Sequence, residues 1–312
     1  MDKLKLLHAL RSYADAQKKV LRPSHKNPEV KRWQLPQKAL TDIPVSSRSW
    51  EAGETDNGKR FKDFFSSITN TQGFGQHIDT SIPDFAKHRA AMAFAVGDRY
   101  PTGSVLDVGA SEGQWGLTIH EQAPDARVVN LDPNPDMLAH NVDTRGEKVL
   151  GAWVEGFNDG EQDIPRHVTP PDELHDVVGM HMVRQFVTRD GDEWYGEVKK
   201  HIKPDGIFMY SCKVTPTPGQ EGEWKEREME KDRFKRLTYS QEEMDLKSDE
   251  VLVGMHHLMM PHEEEMESLG KHFKHVVPIW HAANFRGYVA SDNHDAAHGM
   301  ADHYRDVKTG GK

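Results

Sequence analysis

Residues 105–116 read VLDVGASEGQWG, which is an apolar strand followed by a glycine-rich turn and the first residues of a helix. Glycine at positions 109 and 113 lets the backbone approach a ligand closely. The helix that follows presents unpaired N–H groups at its first turn. The spacing is acid-x-Gly-x-small-x-Gly, which differs from the pyrophosphate-binding turn of dinucleotide enzymes. This stretch therefore predicts a ligand site at the carboxyl end of the first strand.

A second acidic residue follows one strand–helix–strand unit later. Residues 128–134 read VVNLDPN, and Asp132 ends this strand 25 residues after Asp107. A carboxylate at this point can accept hydrogen bonds from both hydroxyls of a ribose. The alternative is that the turn and Asp132 serve only as a chain reversal and a helix cap. Because both motifs agree with the strands downstream, we favour the ligand site.

The pattern on either side of these motifs predicts an α/β fold. Five strands are expected at 104–108, 127–131, 149–154, 176–180 and 207–211. Helices are expected from Pro83 to about Arg99 and at 113–123, 136–141 and 190–202, the last ended by residues 203–206. Such alternation predicts a largely parallel sheet with right-handed crossovers. Two further strands, 276–280 and 287–290, are joined by a short connection and predict an antiparallel hairpin that closes the sheet.

The spacing from Asp107 to Gly113 is similar to the first motif of S-adenosylmethionine-dependent methyltransferases, so the chain resembles the class I methyltransferase superfamily. The resemblance implies a Rossmann-like α/β fold with a seven-stranded, mostly parallel sheet, a closing antiparallel hairpin, a helical lid insertion and an N-terminal extension. It implies S-adenosyl-L-methionine as the cofactor. The cofactor-binding residues that it implies are Asp107, Gly109, Ala110, Ser111, Gly113, Asp132, Pro133, Ala152, Trp153 and Met180. Trp153 is expected either to stack on the adenine or to lie in the core.

Residues from about 63 to 291 also resemble a narrower family, the carboxy-S-adenosylmethionine synthases. The likeness lies in Lys213 and in residues 80–85, 107–113, 234–240 and 280–290. It implies transfer of a carboxyl group, derived from prephenate, to the methyl carbon of the cofactor. The product, carboxy-S-adenosyl-L-methionine, serves tRNA wobble-uridine modification in that family. Ser248, next to Lys247, stands where the family has an arginine that holds the added carboxylate.

Three residues are candidates for catalysis. His181 follows the fourth strand, where it is either a general base or a histidine satisfied by its neighbours. Tyr239 is placed to contact the sulfonium or the substrate, because aromatic faces attract cations. Lys213 is a candidate through the resemblance alone. The histidines at 256, 257 and 262, near residues 263–265, match no standard metal site, so no metal is expected.

Composition and charge predict three regions in the 312-residue chain. Residues 1–60 form a helix and an extended basic arm, with thirteen Lys and Arg against seven Asp and Glu, whereas the whole chain carries a net charge of −10. This arm either contacts nucleic acid or is only a solvated segment. Residues 61–292 form the cofactor-binding domain with a lid at about 220–270, and residues 293–312 form a polar tail that is expected to be mobile.

The sequence predicts a cytoplasmic transferase. The chain has one cysteine, Cys212, no apolar run long enough to span a membrane and no signal-peptide pattern. The expected reaction is methyl transfer to a small-molecule or nucleic-acid acceptor. The alternatives are a carboxy-S-adenosylmethionine synthase and a non-catalytic accessory protein of the same fold. A homodimer is left open.

Overall fold

A computed structural model describes residues 55–60, 82, 84–110, 113–132, 147–150, 157–159, 162–164, 173–186, 191–226, 241 and 258–309. Its main feature is a seven-stranded sheet. The strands of this sheet are β1 (Ser104–Val108), β2 (Arg127–Asp132), β3 (Glu147–Leu150), β6 (His175–His181), β7 (Ile202–Lys213), β8 (His275–Ala282) and β9 (Phe285–Ser291). A separate two-stranded hairpin consists of β4 (Phe157–Asp159) and β5 (Gln162–Ile164).

The strand order of the main sheet is β3-β2-β1-β6-β7-β9-β8. The first five strands in this order pair in parallel, and β9 runs antiparallel to both β7 and β8. The order reverses between β1 and β6, where the carboxyl ends of parallel strands form a crevice that binds ligands in open α/β sheets. This arrangement confirms the expected mostly parallel, seven-stranded sheet with its closing hairpin.

Five helices longer than eight residues cover the sheet within the described ranges. They are α1 (Phe85–Arg99), α2 (Gln114–Gln122), α3 (Gly191–Lys200), α4 (His262–His272) and α5 (His294–Thr309). Helices α1, α2 and α5 pack on one face, and α3 and α4 pack on the other. None of the helices in the described ranges has the length and apolarity needed to cross a membrane.

Side chains along each strand alternate between these two helical layers. On β1, Val105 belongs to the core beneath α1 and α2, whereas Leu106 and Val108 belong to the core beneath α3 and α4. We call the first side of the sheet the α1 face. By the same alternation, Asp107 on β1 and Asp132 on β2 project onto the α1 face.

Two expectations are corrected by the structure, and the lid at about 220–270 stays a prediction. The segment from 293 is helix α5 rather than a mobile tail, because Met300, Tyr304 and Val307 are buried against the sheet and α1. Residues 203–206 lie within the bounds of β7 instead of a loop, and they form a bulge in its pairing with β6, because the partners of His175 and Val177 are Ile202 and Ile207. The last part of the expected lid is α4, which packs in the second layer and buries Leu269.

Several other expectations lie partly or wholly outside the described residues. These are the N-terminal helix and most of the basic arm, the helix at 136–141, and the central part of the lid. β3 begins at Glu147, two residues earlier than expected, and residues 151–154 fall outside the described ranges. The hairpin of β4 and β5 was not expected, since its strands are only three residues long.

Candidate cofactor and active site

The turn between β1 and α2 needs glycine at two points. Gly109 and Gly113 have φ values of 68° and 69°, in the left-handed region that favours glycine. A Cβ at Gly109 would lie 2.3 Å from Cγ2 of Val183. The backbone N–H groups of Gly109 and Ala110 both donate to the carbonyl of Leu131, at 2.8 and 3.0 Å. The turn is therefore tied to the end of β2, next to Asp132.

The two acids that the sequence singled out are buried together on the α1 face. Asp107 pairs with Asn130 in the register of β1 and β2, so Asp132 lies two positions further along the neighbouring strand. Both side chains are buried. Burial raises the pKa of Asp107 to about 7, Arg89 lowers it, and the charge of Asp132 raises it. The structure thus places both carboxyl groups at the carboxyl ends of adjacent strands, as the motifs predicted.

Arg89 on α1 supplies a buried positive charge to the same site. Nη2 donates to Oε1 of Gln114, the first residue of α2, at 2.8 Å. The Arg89 charge lowers the pKa values of both Asp107 and His181. The site therefore contains a guanidinium whose charge acts on both a carboxyl group and an imidazole.

His181 ends β6 on the α1 face. Burial, followed by the Arg89 charge, lowers its pKa to about 3, so the imidazole is neutral at physiological pH. Its ring meets that of Trp115 in an edge-on contact with 4.6 Å between centroids. The Trp115 ring can lie this close to His181 because residue 179 is a glycine. A Cβ at position 179 would lie only 2.3 Å from the Trp115 ring. A base with so low a pKa holds an abstracted proton poorly, which counts against the general-base role.

Lys213 and Met180 occupy opposite faces of the sheet. Lys213 is buried at the end of β7, and its Nζ lies 5.4 Å from the centroid of the Trp224 ring and 5.9 Å from that of Phe285. Met180 points into the layer of α3, where Nε1 of Trp194 donates to its Sδ at 2.8 Å. The side chain of Met180 is thus on the face opposite Asp107.

Comparisons with known proteins give no family by sequence. No family model matches the chain. No curated protein matches it either.

Several of the solved structures that match this chain are methyltransferases. The plantazolicin methyltransferase BpumL, in complex with a monoazolic desmethylPZN analog and SAH, is 12% identical, covers 82% of this chain and 99% of its own, and has a TM-score of 0.49. A TehB-like SAM-dependent methyltransferase from Corynebacterium glutamicum is 9% identical, with 76% and 98% covered and a TM-score of 0.42. An O-methyltransferase family protein from Burkholderia thailandensis is 12% identical, with 83% and 68% covered and a TM-score of 0.43.

Five of the thirteen predicted site residues lie outside the described residues. The predicted cofactor residues in this group are Ser111, Pro133, Ala152 and Trp153, and the predicted catalytic residue is Tyr239. Lys247 and Ser248 fall in the same category. Their roles stay predictions.

Of the residues considered for metal or nucleophile chemistry, His262 and Cys212 pack against core residues, and His256 and His257 lie outside the described residues. Nδ1 of His262 lies 2.8 Å from the hydroxyl of Tyr288, and the two rings stack. The described ranges contain no group of three ligating side chains suited to a metal ion. Burial raises the pKa of the Cys212 thiol well above its ordinary value, which leaves it a poor nucleophile.

Sequence reasoning missed the polar residues that α1 contributes. Lys87, His88 and Arg89 are all buried, although α1 was read from its apolar positions. The available signal was three consecutive polar residues inside an apolar helix. Polar side chains in such a helix are buried only with hydrogen-bonding or charged partners. Arg184 and Glu265 were also missed. Both are fully buried beneath the opposite face, with Nε and Oε1 3.3 Å apart.

Proposed function

We propose that the protein is an S-adenosylmethionine-dependent methyltransferase. The observation that carries this proposal is the pair of buried acids, Asp107 and Asp132, beside a turn whose positive φ values at positions 109 and 113 favour glycine. S-adenosylmethionine offers a charged amino acid end and a ribose with two hydroxyls. The buried acids and Arg89 form a donor and acceptor set that fits these groups.

In this proposal Asp132 accepts hydrogen bonds from the ribose hydroxyls, and residues 109–113 hold the methionine part. Arg89 balances the negative charge of the buried acids. The bound cofactor supplies a methyl group on a sulfonium, which is already a good leaving group. The remaining work of the protein is to align the acceptor with that carbon and to exclude water.

Isothermal titration calorimetry with S-adenosylmethionine tests the proposal. We expect binding by the full chain. Asp132→Asn is expected to weaken it about 10- to 100-fold, because a hydrogen bond to a charged group contributes about 1.5–3 kcal/mol. Asp302→Asn, a change at an exposed position on α5, is the matched control and leaves the affinity unchanged. The absence of heat at millimolar cofactor, or an unaltered affinity in Asp132→Asn, would reject the proposal.

A carboxy-S-adenosylmethionine synthase is the second candidate. Its support is the resemblance together with Lys213, a buried cation on the α1 face that suits a carboxylate-bearing reactant. Incubation with prephenate and S-adenosylmethionine, followed by mass spectrometry, tests it. A cofactor heavier by one carboxyl group supports this reaction, and its absence leaves methyl transfer.

The acceptor of the methyl group is a small molecule or, through the basic arm of residues 1–60, a nucleic acid. Incorporation of label from S-adenosylmethionine carrying a tritiated methyl group distinguishes the two when tRNA and small-molecule pools are offered separately. Cofactor binding without transfer to either pool would instead indicate an accessory protein of this fold.

A further inference from the structure

A row of hydrogen bonds runs from the C-terminal helix to His181. The hydroxyl of Tyr304 on α5 lies 2.6 Å from Nδ1 of His88 on α1. Nε2 of His88 lies 2.9 Å from Oγ of Ser211 on β7, and this Oγ lies 3.3 Å from Nδ1 of His181. We call these four residues the relay. Tyr304, His88 and Ser211 are all buried, so water does not compete for these bonds.

Both imidazoles of the relay are neutral. Burial lowers the pKa of His88 well below its ordinary value, and it lowers that of His181 to about 3. A neutral imidazole carries one N–H donor and one bare nitrogen acceptor. The direction of the hydrogen bond at one end of the relay therefore determines the position of the proton on each ring.

The direction is fixed at Tyr304. Burial raises the pKa of its hydroxyl well above the ordinary value, so the phenol keeps its proton. Nδ1 of His88 is the one hydrogen-bond partner of this hydroxyl within the described ranges. If Tyr304 accepted the bond instead, its buried proton would be left without an acceptor, at a cost of about 1–3 kcal/mol. Tyr304 therefore donates, and His88 holds its proton on Nε2.

The same direction continues through Ser211. Nε2–H of His88 donates to Oγ, so the serine proton is free to be donated onward. Its neighbours are Nδ1 of His181 at 3.3 Å and Sδ of Met92 at 3.9 Å. A thioether sulfur is a weak acceptor, so the proton goes to the imidazole.

We propose that the relay holds His181 with its proton on Nε2, and that this N–H donates a hydrogen bond to a carboxylate oxygen of the bound ligand. Nε2 is buried and has no hydrogen-bond partner within the described part of the chain. A ligand oxygen that accepted a hydrogen bond from this nitrogen would satisfy it. Arg89 places positive charge near His181 and so favours an anion. His181 is thereby a donor that orients the ligand, and His88, Ser211 and Tyr304 are positioning residues.

Nuclear magnetic resonance of the full chain with ¹⁵N-labelled histidine tests the position of the proton. Long-range ¹H–¹⁵N correlations separate a protonated ring nitrogen from a bare one, and the His88→Gln and His181→Gln variants assign the signals. We expect both rings to carry the proton on Nε2. A bare Nε2 on His181, or a charged ring at neutral pH, would overturn the proposal.

Conservative variants test the relay itself. Tyr304→Phe and Ser211→Ala are expected to shift the ring signals of His181 toward a mixture of the two proton positions. Tyr288→Phe is the matched control, since it removes a Tyr–His bond to His262 elsewhere and leaves the His88 and His181 signals unchanged. Unchanged His181 signals in both relay variants would show that the relay does not position the proton.

The same spectra test whether the carboxylate belongs to the cofactor or to the acceptor. This part of the proposal rests on the proposed function. A downfield shift of the His181 Nε2–H signal with S-adenosylmethionine alone assigns the bond to the cofactor carboxylate. A shift only with acetate in the presence of S-adenosylhomocysteine assigns it to the acceptor. No shift in either arm would refute the ligand contact. Failure of cofactor binding, measured by calorimetry, is a separate outcome that concerns the proposed function.

Discussion

The protonation of one site residue, Asp107, makes the stability of the protein depend on pH. Its pKa is about 7 in the folded protein, mainly through burial, against an ordinary value of 3.8. Between these values the folded protein holds a proton that the unfolded chain has released. The stability contributed by this proton is therefore present below about pH 4 and is lost as the pH rises to 7.

Asp107→Asn is expected to raise the free energy of unfolding at pH 8, where the wild-type carboxylate is charged and buried. The gain is on the order of 2–4 kcal/mol, from about 1.4 kcal/mol per pKa unit. It should shrink as the pH falls toward 4, and the variant should lose cofactor affinity. Urea unfolding at several pH values measures the difference, and a gain that does not vary with pH would contradict the pKa argument.

The site residues that lie at the ends of strands were predictable from the sequence. The site residues that reach the site from helices were not. Asp132 and His181 each end a strand, Asp107 lies one residue before the end of β1, and parallel strands bring their carboxyl ends to one edge. Arg89 and Tyr304 reach the same face from helices whose docking depends on the whole core. The local sequence around these residues does not determine how the helices dock.

At the scale of elements, one buried ion pair ties the end of the expected lid to the sheet. Arg184 follows β6 and Glu265 lies on α4, and neither is exposed. Nη1 of Arg184 donates to the carbonyl of Leu258 at 2.7 Å, and the hydroxyl of Tyr195 donates to Glu265. The pair therefore anchors the segment that precedes α4.

Glu265→Gln is expected to destabilise the protein by about 3–5 kcal/mol, because it leaves the Arg184 charge buried without its partner. Glu264→Gln, a change at the exposed neighbouring position on α4, serves as the control. Chemical denaturation provides the measurement, and amide hydrogen exchange at 258–260 should rise in Glu265→Gln. A change below about 0.5 kcal/mol would show that the pair contributes little.

Most elements near the motifs were predictable because their apolar periodicity agrees with their packing. β1 was predicted with the bounds that the structure has. β7 was predicted too short, because Pro204 and Gly206 are turn residues by local preference. Ile202 and Ile207 both pair with β6, so β7 continues across a bulge at 203–206, where a Cβ at Gly206 would lie 2.9 Å from the carbonyl oxygen of Asp176.

At the scale of the whole molecule, α5 completes the fold on the α1 face. Nζ of Lys308 lies 2.5 Å from Oδ2 of Asp84 at the start of α1, and Nε1 of Trp280 on β8 donates to the same oxygen at 3.3 Å. Helix α5 also carries Tyr304, the first residue of the relay. The sequence predicted a tail here because its composition is polar, whereas its apolar residues all lie on the side that packs.

A chain that ends at Asp292 is expected to lose its cooperative thermal transition or to melt more than 10 °C lower. Met300, Tyr304 and Val307 each contribute about 1.5–3 kcal/mol by burial, against a total stability of about 5–15 kcal/mol. Removal of residues 310–312 alone should leave the melting temperature unchanged. Circular dichroism follows both, and a truncated chain that melts within a few degrees of the full one would contradict this role of α5.

We propose above all that the crevice beside the glycine turn holds S-adenosylmethionine. A crystal structure of the full chain grown with S-adenosylhomocysteine tests it most directly. We expect ligand density against residues 109–113, with the ribose hydroxyls within hydrogen-bond distance of Asp132. A crevice filled by the protein's own side chains, or density bound elsewhere with Asp132 turned away, would contradict it.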